Sequence, residues 1–237
     1  IQLEEGQAMA RWLKAAGRWS FSGRQATARA LTGTGGTLTT YGGLDVLEYR
    51  QNAEGMLGEQ LLAGVQFQDA GGAMTSSSPW SIAKPRRTLT HLMVGSLQRQ
   101  WWKAFLTARR GRWVTFLCPT WRPDLLATTF TAGAGTIRVD ATYADYLTSW
   151  WPSLAHRKLQ FEFADGSVIY RTVSAAVDLG GGIQELTLTV ALPGSFPAAL
   201  LCISFLELAR LDADELQVEW TTAGKGRIQL PIVVVQG

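Results

Sequence analysis

The chain has 237 residues, of which 46% are hydrophobic and 17% charged, with 10 tryptophans and a formal charge of +3. That hydrophobic share can bury a core in one large domain or two small ones, which excludes disorder. The balance of 22 basic against 19 acidic side chains is too even to demand a nucleic-acid partner. The charged fraction lies below the roughly 25% of ordinary soluble domains, and tryptophan is enriched at buried interfaces, so part of the surface is expected to meet protein. No run reaches the ~18 apolar residues of a membrane helix, and the start does not read as a secretion signal, so a soluble intracellular product is expected.

Met9, Trp12, Leu13 and Ala16 are spaced as on a helix between Gly6 and Gly17, and residues 1–43 read as an N-terminal arm or helix followed by a Gly/Thr-rich loop. The glycines of 32–37 are not followed by Gly-Lys-Ser/Thr, so a phosphate cradle is not indicated. Residues 45–50 read as a strand, 60–68 hold a second apolar run, and 71–79 read as a flexible connector. Residues 86–94 alternate as a strand. From Ser96 onward Leu97, Trp101, Phe105 and Leu106 fall near one helix face, which Gly111 ends. Trp101 and Trp102 lie about 100° apart on that helix, so one is expected to face the sheet and the other a neighbouring surface.

The β-prone run 112–117 follows, halted by Pro119 and Pro123. Beyond Leu126 come short strands at 136–140, 158–163, 168–177 and 184–191, with 164–167 as a hairpin turn. Residues 201–211, 214–222 and 226–235 read as three β segments, expected to form a closing meander. The expected fold is mainly β with one or two helices. Its β-barrel or sandwich core, with a strand–helix–strand unit, comes from 44–126 and 201–237, and 127–200 is inserted as a small lateral β domain.

Little in the chain points to catalysis. His91 falls in a strand, where a structural role is expected, and His156 is expected to face solvent. Cys118 and Cys202 sit in apolar runs and read as buried thiols rather than a disulfide. Asp212, Asp214 and Glu215 form the one tight acidic cluster, without the glycine and distal glutamate of a calcium loop, and read as a solvated turn. Ser76–Ser78 lacks a nucleophile-elbow frame. We therefore expect no enzyme, no catalytic or metal residues and no cofactor. Arg86, Arg87, Arg109, Arg110 and Arg112, interleaved with Trp101, Trp102 and Trp113, could form a basic aromatic surface for a single strand. The alternative, ion-paired arginines with tryptophans divided between core and interface, is preferred.

Residues 85–126 resemble a pattern of distal tail or baseplate (tail-tip) proteins of long-tailed bacteriophages. An Arg-rich strand at 85–89 leads to a helix centred on the pair Trp101–Trp102, and a strand then ends in an aromatic–Pro–Asp corner at Trp121, Pro123 and Asp124. Residues 46–52 are similar to the strand and turn that enter this unit, and 203–235 to the hairpin that rejoins its sheet. The resemblance implies a homo-oligomeric ring, a hexamer in preference to a trimer, that joins the tail tube protein to a hub, tail fibres or tape-measure protein. It implies a place in the virion tail after assembly in the host cytoplasm, with no specific nucleic acid and no membrane. Candidate assembly or packing residues are Arg86, Arg87, Trp101, Trp102, Phe105, Trp113, Trp121, Asp124 and Trp220, with Trp150 and Trp151 as a lateral contact. The alternatives are the baseplate hub itself, or a carbohydrate- or receptor-binding module using the Trp150–Trp151–Pro152 loop.

Overall fold

A computed structural model describes residues 18–20, 37–50, 59–62, 66–70, 73–77, 84–196, 198–222 and 225–235. The helix expected from the spacing of Met9 to Ala16 lies outside the described residues. The described chain is mainly β. It begins with β1 (Arg18–Ser20), β2 (Thr40–Tyr41), β3 (Leu44–Asp45), β4 (Glu59–Leu62), β5 (Gln66–Ala70), β6 (Ala73–Ser77) and β7 (Lys84–Val94), which runs into helix α1 (Gly95–Arg109). Then come β8 (Phe116–Pro119), β9 (Ala127–Thr129), β10 (Thr136–Asp140) and the single-turn α2 (Tyr146–Ser149). The last six strands are β11 (Lys158–Phe163), β12 (Val168–Gly180), β13 (Ile183–Leu188), β14 (Leu200–Leu211), β15 (Glu215–Thr222) and β16 (Lys225–Val234). No helix among the described residues is long and apolar enough to cross a membrane.

Two compact units form, one drawn from residues 1–39, 48–116 and 209–235, the other from 40–47 and 117–208. The expected division set its limits at 126/127 and 200/201. The observed limits fall within β8 and β14, because residues 120–125 and 203–205 hydrogen-bond to each other: Thr120 N–H donates to Phe205 O at 3.0 Å and Asp124 N–H to Ile203 O at 2.9 Å.

In the first unit the antiparallel order is β1–β15–β16–β7–β4. Alternation sends Leu89, His91 and Met93 of β7 and Ile228, Leu230 and Ile232 of β16 to one buried face, where α1 packs. Trp101, Trp102, Phe105, Leu106 and Arg109 form the buried stripe of α1. Leu97 does not join it and is 70% exposed. At 100° per residue the stripe centres near Trp102 and Phe105, and Leu97 stands about 110° from that centre. Three further expectations are corrected. The last three strands are no simple meander, because β16 lies between β14 and β15 and pairs both. Residues 71–79 are no simple connector, since β5 and β6 pair across Gly71–Gly72 with Ala70 opposite Ala73. The run 112–117 is strand only from Phe116, because a turn occupies its first residues.

In the second unit the antiparallel order is β14–β11–β12–β13–β10–β9. The segment leading into β9 turns back to β14 through a Leu125–Ile203 bridge, and Asp140 N–H donates to Leu126 O at 2.9 Å. One segment thus bonds β14 with its first half and β10 with its second, and the sheet closes into a barrel. Leu125, Ile137, Val139, Leu159, Phe161 and Phe205 are among the buried side chains that fill it. The expected strand at 45–50 shrinks to Leu44–Asp45, paired with β2. Beyond it Val46 bridges Leu117, burying Val46, Leu117 and Leu206 together.

Candidate assembly site

The first unit concentrates most of the candidate residues. Val94 N–H donates to Gln98 Oε1 at 2.7 Å at the start of α1, and the left-handed Arg110 (φ 50°) ends it. Trp101 and Trp102 are both buried, at 5% and 2% exposure, which corrects the expectation that one flanks a neighbouring surface. Adjacent positions can both lie in an apolar arc wider than about 100°. Their rings stand edge to face at 5.1 Å, Trp101 stacks on Phe105 at 5.1 Å, and Tyr49 meets Trp101 edge-on at 4.8 Å. The Trp101 Nε1–H is buried with no hydrogen-bond partner among the described residues. Phe105 meets Phe116 at 5.1 Å.

Three charged or titratable groups lie in this interior. His91 is 1% exposed and 4.7 Å from the Trp102 ring. Burial lowers its pKa to about 4, offset in part by the Arg50 main chain, although neither ring nitrogen makes a hydrogen bond of ordinary geometry. Arg109 is 1% exposed and so takes no part in a basic surface; it donates to Thr115 O at 2.9 Å and places its guanidinium 4.9 Å from the Phe105 ring. Burial lowers its pKa to about 10, so it stays cationic at neutral pH. Arg87 is also buried, on the His91 side of β7, and packs inside the unit.

The remaining candidates of this unit are peripheral. Arg86 pairs with Asp212, and Arg112 with Asp214, so two carboxylates of the acidic cluster are engaged by arginines. Trp220 is half-buried against Gly226, where a Cβ would stand 2.8 Å from its ring, and the Arg99 guanidinium lies 5.7 Å over it. Trp113 is 84% exposed.

In the second unit Trp121 is buried with φ 51°, a backbone conformation costly for a large side chain. The corner is held by Asp124, whose carboxylate accepts from Thr120 Oγ1–H and, at 2.8 Å, from Phe205 N–H. Trp150 and Trp151 are half-buried rather than an open platform. Trp150 meets His156 at 4.7 Å and Phe205 at 5.2 Å, and the Arg157 guanidinium covers Trp151 at 4.2 Å. His156, expected to face solvent, is consequently half-buried, and burial lowers its pKa. Tyr146 Oη–H donates to His156 O at 3.1 Å. No disulfide joins Cys118 and Cys202; Cys118 is buried and the Cys202 thiol lies 3.8 Å from Glu162 Oε2.

Sequence reasoning missed Tyr49 and the buried state of Arg109. Tyr49 stands outside any periodic pattern, and a run of arginines reads as surface. No known protein family matches the chain, and no curated protein does.

Proposed function

We propose that the chain is a ring-forming structural component of a long-tailed phage tail tip or baseplate, joining the tail tube to a hub, fibres or tape-measure protein. The ring is a hexamer in preference to a trimer, and its role is assembly without turnover. One observation carries the assembly part of this reading. Leu92 and Val94 leave the outward face of β7 at 42% and 47% exposure, and Leu97 follows at 70%. These apolar side chains lie within six residues of one another at the junction of β7 and α1, in a chain with few charges. Obligate interfaces bury about 2,000 Å² or more and are more apolar than transient ones, so such a strip suits a permanent neighbour. The phage reading rests on the resemblance of residues 85–126, which ends in the aromatic–Pro–Asp corner at Trp121–Asp124.

The test is lysine substitution at Leu92, Val94 and Leu97, each already exposed and therefore tolerant of charge. Light scattering should show the wild-type chain as a multimer and the triple variant as a folded monomer. Equal masses for the two would overturn the assignment of this strip.

A further inference from the structure

Strand β12 outruns one of its partners. It has 13 residues, and β11 pairs only with 168–172, after which Val173 N–H donates to Arg157 O at 2.7 Å. From Ser174 to Leu179 the strand pairs with β13 on one side, and on the other side no main-chain hydrogen bond is made among the described residues. Ala176 packs on the barrel core, so alternation turns Val177 and Leu179 outward, at 55% and 48% exposure. The hairpin tip beyond this edge is acidic. Asp178 stands opposite Gln184, whose Nε2–H donates to Asp145 Oδ1 at 2.7 Å, and Asp140 stands opposite Ile183. Hydrogen bonds from the Thr142 side chain to Asp140, and from the Gln184 side chain to Asp145, hold both carboxyls below the usual range, so they stay ionised at neutral pH. Residues 139–156 and 173–184, which build this end of the unit, contain no Lys or Arg.

We propose that the 174–179 edge of β12 takes up an extended, basic segment of a partner protein as an added strand. The open main chain sets the form of the occupant, because donors and acceptors repeating along a strand are matched by another extended chain. Val177 and Leu179 call for apolar side chains at alternate positions of that chain. The carboxylates of Asp140, Asp145 and Asp178 call for lysine or arginine in it and repel a nucleic acid or an anionic membrane. A second copy's β12 is a poorer fit, since it brings the same carboxylates and no cation. The edge belongs to the 117–208 unit and the β7–α1 strip to the other, so this contact does not depend on ring formation.

Hydrogen–deuterium exchange of the full chain, alone and with a short blocked peptide of alternating valine and lysine, tests it. Amides of 174–179 that point away from β13 should exchange freely in the chain alone and slow about tenfold or more with the peptide. The same peptide methylated on two adjacent central amide nitrogens keeps every charge but cannot pair along either edge, and should bind about tenfold more weakly or worse. Leu179→Lys, at an exposed position, should weaken binding of the unmodified peptide and leave the melt unchanged. No slowing at 174–179, or equal binding by the methylated peptide or by Leu179→Lys, would overturn the proposal. Slowing at 174–179 that rises with the concentration of the chain alone would also overturn it, by placing a second copy on the edge. None of these results bears on whether the chain forms a ring, so failure here leaves the proposed function standing.

Discussion

His91 shows how a single buried group couples stability to acidity. Its folded pKa of about 4 lies below the ordinary 6.5, so between those values the unfolded chain binds a proton that the folded chain refuses. The contribution is complete above pH ~6.5 and is lost as pH falls through 4, worth on the order of 3 kcal/mol across the window. Half-buried His156 adds to it with the same sign. Urea melts at pH 7 and pH 4.5 should show a marked loss in wild type and a much smaller one in His91→Leu; an unchanged pH dependence would contradict this placement. Gly111 makes a second residue-level case. Gly111→Ala meets both a left-handed φ of 68° and the Asp214 carboxylate, and is expected to cost about 1–3 kcal/mol in the same melts. The sequence placed a glycine at the end of α1 correctly, but its closeness to Asp214 depends on two segments about a hundred residues apart and has no local signature.

At the scale of elements, α1 and the barrel corner make distinct demands. Trp101→Ala and Trp102→Ala should each lower stability by ~3–5 kcal/mol, since both rings are packed on other aromatics. Surface roles would instead change assembly while sparing the melt. Asp124→Ala removes the acceptor of Phe205 N–H and should cost about 1–3 kcal/mol, with Asp124→Asn recovering part because an amide oxygen can still accept. The strands at 136–140 and 158–163 were legible to the residue because alternation is clean and turn residues bound each run. The β5–β6 hairpin was not, because glycine, serine and threonine write a linker and a strand alike, and the difference is made by pairing. Nor was the turn at 110–113, where Val114 and Phe116 advertise a strand that the left-handed pair Arg110–Gly111 prevents from starting earlier.

For the whole chain, strand alternation announced the sheet segments, but closure of the 117–208 unit rests on one segment that bonds two strands distant in sequence. Local pattern cannot show that. Replacing 127–200 with a short linker would strip Leu125, Ile203 and Phe205 of their partners, and aggregation is expected, read by solubility after expression. The apolar side chains at the β7–α1 junction and the exposed Trp113 are intelligible if the chain works among neighbours. Electron microscopy of the full chain, purified and then mixed with a long-tailed phage tail tube protein, tests the proposed assembly role. Closed rings of one rotational order that cap the tube are expected; a monodisperse monomer that leaves tube ends bare would show that the chain does not assemble in this way.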